Sequence, residues 1–412
     1  MVILVDSAII LRDVRPWGGL RSDIRVAAGR IVEVRPHDAF TAVDGDADVD
    51  VEVHDGAGRL ALPAFTDAHV HLDSTRIGLP FRPHSAPSGR LWDLIENDRR
   101  NWRSAEASVA DRATETLERA ILNGMTRARS YAQVDADSQL ERFHGVQVAR
   151  DAHASRADVE IVAFPQAGLL REPGVIDLVD QALREGADIV GGIDPSALDG
   201  DPKRHLDVVF DLAERHGARI DIHLHEPGEL GAFAARAILE RTRALDYRGR
   251  VTIAHAFCLS DLAPAALGVL LDDIADLDVA VTTIAPGGRT PLPLDEIVGR
   301  GIRLGLGQDG QRDYWSPYGN TDMLERTWML SYSNGLRRDA DIEGALAIAS
   351  LGGARVMGAA APAMARGGFD PGDAADFVLM DAETPTSAVM DRPRPRTVVH
   401  AGRVVAVDGG LR

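Results

Sequence analysis

Between residues 62 and 306 the chain alternates short apolar runs with longer segments of helical period. The runs are 62–68, Thr126–Tyr131, Glu160–Pro165, Ala187–Ile193, Arg219–His223, Arg250–Ala254, Val279–Ile284 and Ile302–Leu306. Each has strand length and ends in polar or turn-forming residues. Between them, apolar positions recur at helical spacing over 105–122, 174–185, 203–216, 230–245 and 261–274. Eight strands alternating with helices predict a (β/α)8, TIM-like barrel. An open doubly wound sheet would call for a glycine-rich phosphate turn after the first strand, and none is present.

The two ends carry a different pattern. Ile3–Val5, Ile9–Leu11, Ile24–Val26, Ile31–Val34 and Val49–Val53 are short strands punctuated by glycine and aspartate. Asp376–Met380, Thr397–His400 and Arg403–Val407 repeat that texture at the other end. These fragments are expected to join into one small β-sandwich domain of residues 1–60 plus 360–412, with residues 61–359 forming the barrel.

Barrel chemistry collects at the C-terminal ends of the strands. Reading those ends gives His69, His71, Arg129, Gln166, Asp194, His223, His225, Glu226, His255 and Asp309. His69 and His71 are two residues apart, so on a strand they share one face. With one histidine of the fifth strand and Asp309 they form a nitrogen-rich set suited to Zn²⁺ or Fe²⁺. An open position on such an ion would lower the pKa of a water toward neutrality. His223 and His225 also share a face, and periodicity does not choose between them. Glu226 falls where the chain leaves that strand, so its carboxylate can turn into the pocket. His255, after Val251–Ala254, stands at the end of the sixth strand as a polar site candidate.

Composition narrows the partners. The 412 residues carry a net charge of −18, which disfavours a phosphate-backbone partner. No apolar run approaches a membrane span and the first residues lack a signal-peptide pattern, so a cytoplasmic protein is expected. One cysteine, Cys258, excludes an intrachain disulfide. The one lysine, Lys203, lies beyond the fourth barrel strand.

The motifs resemble the amidohydrolase superfamily and, within it, the cytosine deaminase branch. Pro63–Thr75 is similar to that branch's first strand, and Ile161–Gln166 with Gly168 to its Phe-Pro-Gln substrate segment. Asp221-Ile-His-Leu-His-Glu226 resembles its Asp-x-His-x-x-Glu, which selects His223 as ligand and Glu226 as proton shuttle. Gly307–Asp309, Trp315, Pro317 and Gly319 through Leu324 resemble its last strand and loop. The resemblance thus implies a metal held by His69, His71, His223 and Asp309. It implies catalytic roles for Glu226, His255 and Asp309, and substrate contacts from Gln166 and Trp315. Binuclear members bridge two metals with a carboxylated lysine on strand four, and Lys203 is displaced from it; one divalent ion per chain is therefore expected. Two departures from the branch are Gly310, where it has a second acidic residue, and Tyr131, where it has histidine.

The implied activity is hydrolytic deamination of a small aminated N-heterocycle: a pyrimidine, triazine, pterin or creatinine-like ring. Metal-activated water would attack a ring carbon, Asp309 would pass its proton toward the departing amine, and Glu226 would protonate the adjacent ring nitrogen. His255 would polarise the attacked centre, Gln166 would read an amide edge, and Trp315 would wall the ring. One alternative is cleavage of a cyclic amide or N-substituted amine on a similar ring; another is a non-catalytic metal-binding barrel. The expected partner is a small heterocyclic molecule, with neither nucleic acid nor membrane, and the reading is compatible with a homo-oligomer.

Overall fold

The computed structural model describes residues 8–38, 51–361 and 367–412. The expected strand at Ile3–Val5 and the start of the one at Val49–Val53 lie outside them. Four strands open the described chain: β1 (Ala8–Pro16), β2 (Ser22–Ala27), β3 (Arg30–Pro36) and β4 (Val51–Pro63). Eight follow: β5 (Phe65–Val70), β6 (Met125–Gln133), β7 (Asp158–Phe164), β8 (Ile189–Ile193), β9 (Arg219–His223), β10 (Val251–Ala254), β11 (Ala280–Thr283) and β12 (Leu304–Leu306). The last four are β13 (Phe377–Met380), β14 (Thr397–His400), β15 (Arg403–Val407) and β16 (Gly410–Leu411).

β5 to β12 form a parallel sheet in chain order, with helices between successive strands. The sheet rolls into a barrel because β12 returns to β5. The Asp309 N–H donates to the His69 carbonyl at 2.7 Å, and Val70 pairs with Asp309 in a parallel bridge. Close approach at this seam depends on Gly307, where a Cβ would lie 2.5 Å from His69 Cβ and carbonyl oxygen. Any side chain there would force the seam apart. Asp67 secures the same joint: its Oδ1 accepts from the Gln308 N–H at 2.9 Å.

The end strands form one mixed sheet in the order β16-β15-β14-β13-β4-β1-β2-β3. Both ends of the chain are needed because β13 pairs antiparallel with β4. The sheet curls over its own core, as the Ala375 N–H donating to the Gly29 carbonyl brings the β2–β3 turn against the chain entering β13. Ile9, Leu11, Ile24, Val26, Phe377 and Val399 fill that core.

One boundary differs from the sequence expectation. The apolar run beginning at Leu62 is split, since β4 continues through Pro63 in the end sheet and the first barrel strand starts at Phe65. Both faces of this stretch are buried. Leu60 and Leu62 point into the barrel-side core, while Ala61 points into the end-sheet core. A run buried on both faces loses the alternation that would mark its end.

An ion pair ties the end segment to the barrel. Arg396 Nη1 and Nη2 lie 2.8 and 2.9 Å from the two oxygens of Asp322, and Nη1 also donates to the Asn123 carbonyl at 2.5 Å. The two side chains are 0% and 2% exposed. Breaking such a pair strands a buried charge. Arg396→Met is therefore expected to destabilise the fold by about 3 kcal/mol, the low end for a buried pair, because Arg394 still faces Asp322. Chemical denaturation measures this, and an unchanged midpoint would show that the pair contributes nothing.

Candidate active site and metal centre

The strand ends converge at one mouth of the barrel. His69 is the fifth residue of β5, His71 follows that strand, His223 closes β9, and His255 follows β10. The rings of His69 and His223 are 4.6 Å apart, His69 and His255 4.6 Å, and His223 and His255 4.9 Å. Asp309 Oδ1 lies 3.6 Å from His69 Nε2 and 3.3 Å from His71 Nε2. His255 and Asp309 reach these positions with φ of +66° and +63°, conformations that cost a non-glycine residue energy and cluster at functional sites.

This arrangement fits a metal ion. Nε2 of His69 and both ring nitrogens of His223 and His255 are buried with no hydrogen-bond partner among the described residues. Buried polar atoms are ordinarily satisfied, so nitrogens aimed at one another without partners point to a shared cation. Two overlapping groups have ligand atoms close enough: His69 with His223 and His255, and His69 with His71 and Asp309. Burial pushes the His69 imidazole down to about 4 and holds His223 and His255 well below the usual range. Neutral imidazole is the form that binds metal. For Asp309, burial acts upward, but the neighbouring His69 and His71 imidazoles outweigh it and hold the group a carboxylate. Lys203 is exposed at the start of a helix and paired with Asp207 at 2.6 Å, away from this cluster.

Glu226 is buried just past β9. Its Oε1 accepts from the N–H groups of Ser196 at 2.8 Å and Ala197 at 2.6 Å, while Oε2 has no partner among the described residues. Burial raises its pKa above the ordinary glutamate value, despite those two donors. A carboxyl held by one oxygen, with the other free, is equipped to carry a proton.

His225 differs from its neighbour. Asp194, which ends the fourth barrel strand with φ of +35°, lies 2.7 Å from His225 Nδ1 and also accepts from the His225 and Glu226 backbone N–H groups. Asp194 thereby orients the His225 ring and fixes the backbone of Glu226.

Gln166 and Trp315 line a cavity of about 760 Å³, together with His71, His223, His225, His255 and Asp309. Leu91, Leu94, Phe257, Ile284 and Met329 supply apolar wall. Tyr131 is buried against the histidines, its ring 4.3 Å from His69 and 4.5 Å from His223. Arg129 does not join the site. It lies inside the barrel below His223, paired with Asp221 at 2.8 Å and Glu160 at 3.2 Å, because inward-facing barrel positions deep in the strands are core.

Ser74, Asp313 and Arg326 also line the cavity and escaped sequence reasoning. Arg326 braces two loops by donating to the carbonyls of Ile284 at 2.8 Å and Gln308 at 2.7 Å. Asp313 sits in a loop rich in turn residues, where an aspartate ordinarily signals only a turn.

Fold and cluster together define a (β/α)8 barrel with a histidine–aspartate centre at the C-terminal strand ends. The amidohydrolase family model matches residues 86–406. The crystal structure of N-isopropylammelide isopropylaminohydrolase from Burkholderia multivorans is 38% identical in sequence, with a TM-score of 0.90, covering 98% of this chain and 100% of that one. Uncharacterized protein YahJ of Escherichia coli is 30% identical over 93% of this chain and 82% of its own length. N-isopropylammelide isopropyl amidohydrolase of Pseudomonas sp. strain ADP is 27% identical over 94% of each. This chain belongs to the amidohydrolase family.

Proposed function

We infer that this protein hydrolyses the C–N bond between a small oxygenated N-heterocycle and an exocyclic amine. The observation that carries the reading is that His223 and His255, whose buried ring nitrogens have no partner among the described residues, line one cavity, while Glu226, just past the strand that ends in His223, keeps one buried oxygen without a partner. His69, His71, His223 and Asp309 would hold one divalent ion, zinc or iron. When bound, such an ion supplies a Lewis acid that makes water nucleophilic near neutral pH. Glu226 protonates the ring nitrogen next to the attacked carbon, and Asp309 takes up the proton released by the water and passes it to the departing amine as the C–N bond breaks. His255 steadies the attacked centre, Gln166 hydrogen-bonds an amide edge of the ring, and Trp315 packs on its face.

An alkylamine leaving group is favoured over ammonia. The cavity volume of about 760 Å³ falls within the range for ligands of drug size, more than a bare ring needs, and its apolar wall suits an alkyl substituent. Two of the relatives are named for removal of isopropylamine from N-isopropylammelide. The test is amine release by metal-loaded protein from oxo-triazine, pyrimidine and pterin rings carrying either amino or isopropylamino groups. Isopropylamine release is the expected result. Faster ammonia release from the unsubstituted rings would instead make the protein a deaminase, and no amine from any ring would leave a non-catalytic metal-binding barrel.

A further inference from the structure

The residue after Asp309 is Gly310, and the space beside it is filled from elsewhere. A Cβ on Gly310 would lie 2.2 Å from Asp313 Oδ2 and 2.9 Å from its Cγ, so the Asp313 carboxylate occupies the volume that a side chain at 310 would claim. Three donors pin it there. Oδ1 accepts from the backbone N–H groups of Trp315 at 2.8 Å and Ser316 at 2.9 Å, and Oδ2 accepts from Ser74 Oγ at 2.9 Å. Ser74 comes from the segment after β5, so the carboxylate is gripped by the segments after both strands of the β5–β12 seam.

A carboxylate oxygen accepts about two hydrogen bonds. Oδ1 has both, and Oδ2 has one. Asp313 is 6% exposed, and the donors that hold it are Ser74, Trp315 and Ser316, none of them a cation. It lines the same cavity as His71, Gly310 and Asp309. A buried carboxylate with an open acceptor position and no counter-cation is costly unless something donates to it. In a cavity built for a ligand, that donor belongs to the ligand.

We propose that Asp313 is a specificity-determining residue whose Oδ2 accepts a hydrogen bond from a ring N–H of the substrate. The substrate class this selects is an oxo-heterocycle in its lactam form, with N–H beside the ring carbonyl, over rings alkylated at that nitrogen. The proposal rests on the heterocycle-hydrolase reading given above. A purely structural role, capping the 313–316 turn through Oδ1 and holding Ser74 through Oδ2, would use only three of the four acceptor positions. It would leave the choice between N–H and N-methyl rings untouched.

The experiment compares kcat and KM on two otherwise identical rings with the same leaving amine, one bearing N–H and one N-methyl. Asp313→Asn keeps an oxygen for the two backbone donors and turns the free acceptor into a donor. It is expected to raise KM for the N–H ring about ten- to a hundredfold, the range for a lost hydrogen bond to a charged group, with a smaller change in kcat. The N-methyl ring should be handled nearly as before, so that discrimination is lost. Gly310→Ala should act in the same direction by displacing the carboxylate without altering it, and it carries the test if Asp313→Asn does not fold. An unchanged ratio between the rings in a folded variant, or an equal loss on both, overturns the proposal while leaving the hydrolase reading intact. Wild-type protein that releases no amine from any ring overturns both.

Discussion

Glu226→Gln is expected to keep its metal and melting temperature yet lose at least about a hundredfold in turnover, the lower range for removal of a general acid/base. The geometry explains why the two effects separate. Glutamine retains the carbonyl oxygen that accepts from Ser196 and Ala197, so the loop after β8 stays anchored. It also leaves His69, His71, His223 and Asp309 untouched. What it removes is the second oxygen, buried and without a partner, which can no longer take up or release a proton. Burial already raises the Glu226 pKa, bringing a carboxyl nearer the range in which it can exchange protons at neutral pH. Steady-state turnover on the true substrate, with metal analysis of the same sample, decides the matter. Near wild-type turnover would make Glu226 a bystander.

His223→Ala should strip the metal and abolish turnover, whereas His225→Ala should keep the metal and alter only substrate handling. Sequence periodicity places both rings on one face, and their chemistry separates only in the fold. His223 offers two buried nitrogens without partners, and its ring centroid lies 4.6 Å from that of His69. His225 has its Nδ1 engaged by Asp194 and stands in the cavity wall. Losing one of four ligands typically leaves too few donors to hold the ion against buffer. Metal content per chain after dialysis is the measurement. Retention in His223→Ala with loss in His225→Ala would mean that the ligand register is displaced by two residues.

Much of the centre was legible because each candidate sits at the end of a periodic run. Histidines and aspartate at the ends of β5, β9, β10 and β12 announce themselves once the alternation is recognised, since barrel topology brings strand ends together whatever their separation in sequence. Arg129 shows the limit of that logic. A polar residue in an apolar run reads as a strand-end group, yet its partners Glu160 and Asp221 come from other strands and hold it below the cavity. Asp194 was visible as a residue but not as the clamp on His225 and Glu226, because its role follows from a backbone turned to positive φ.

The barrel, the joining of both chain ends in one sheet and the residue types at the barrel mouth are all written in the linear chain. Hydrophobic period and strand-end chemistry are local, and local signals survive in a linear string. Packing in three dimensions settled where the first barrel strand begins. β4 buries Leu60 and Leu62 on one side and Ala61 on the other, which erases the alternation that would have marked the boundary. It likewise decided that Asp313 fills the space beside Gly310. A missing side chain at one position and a folded-back carboxylate three residues later are related only through packing, which no local pattern records.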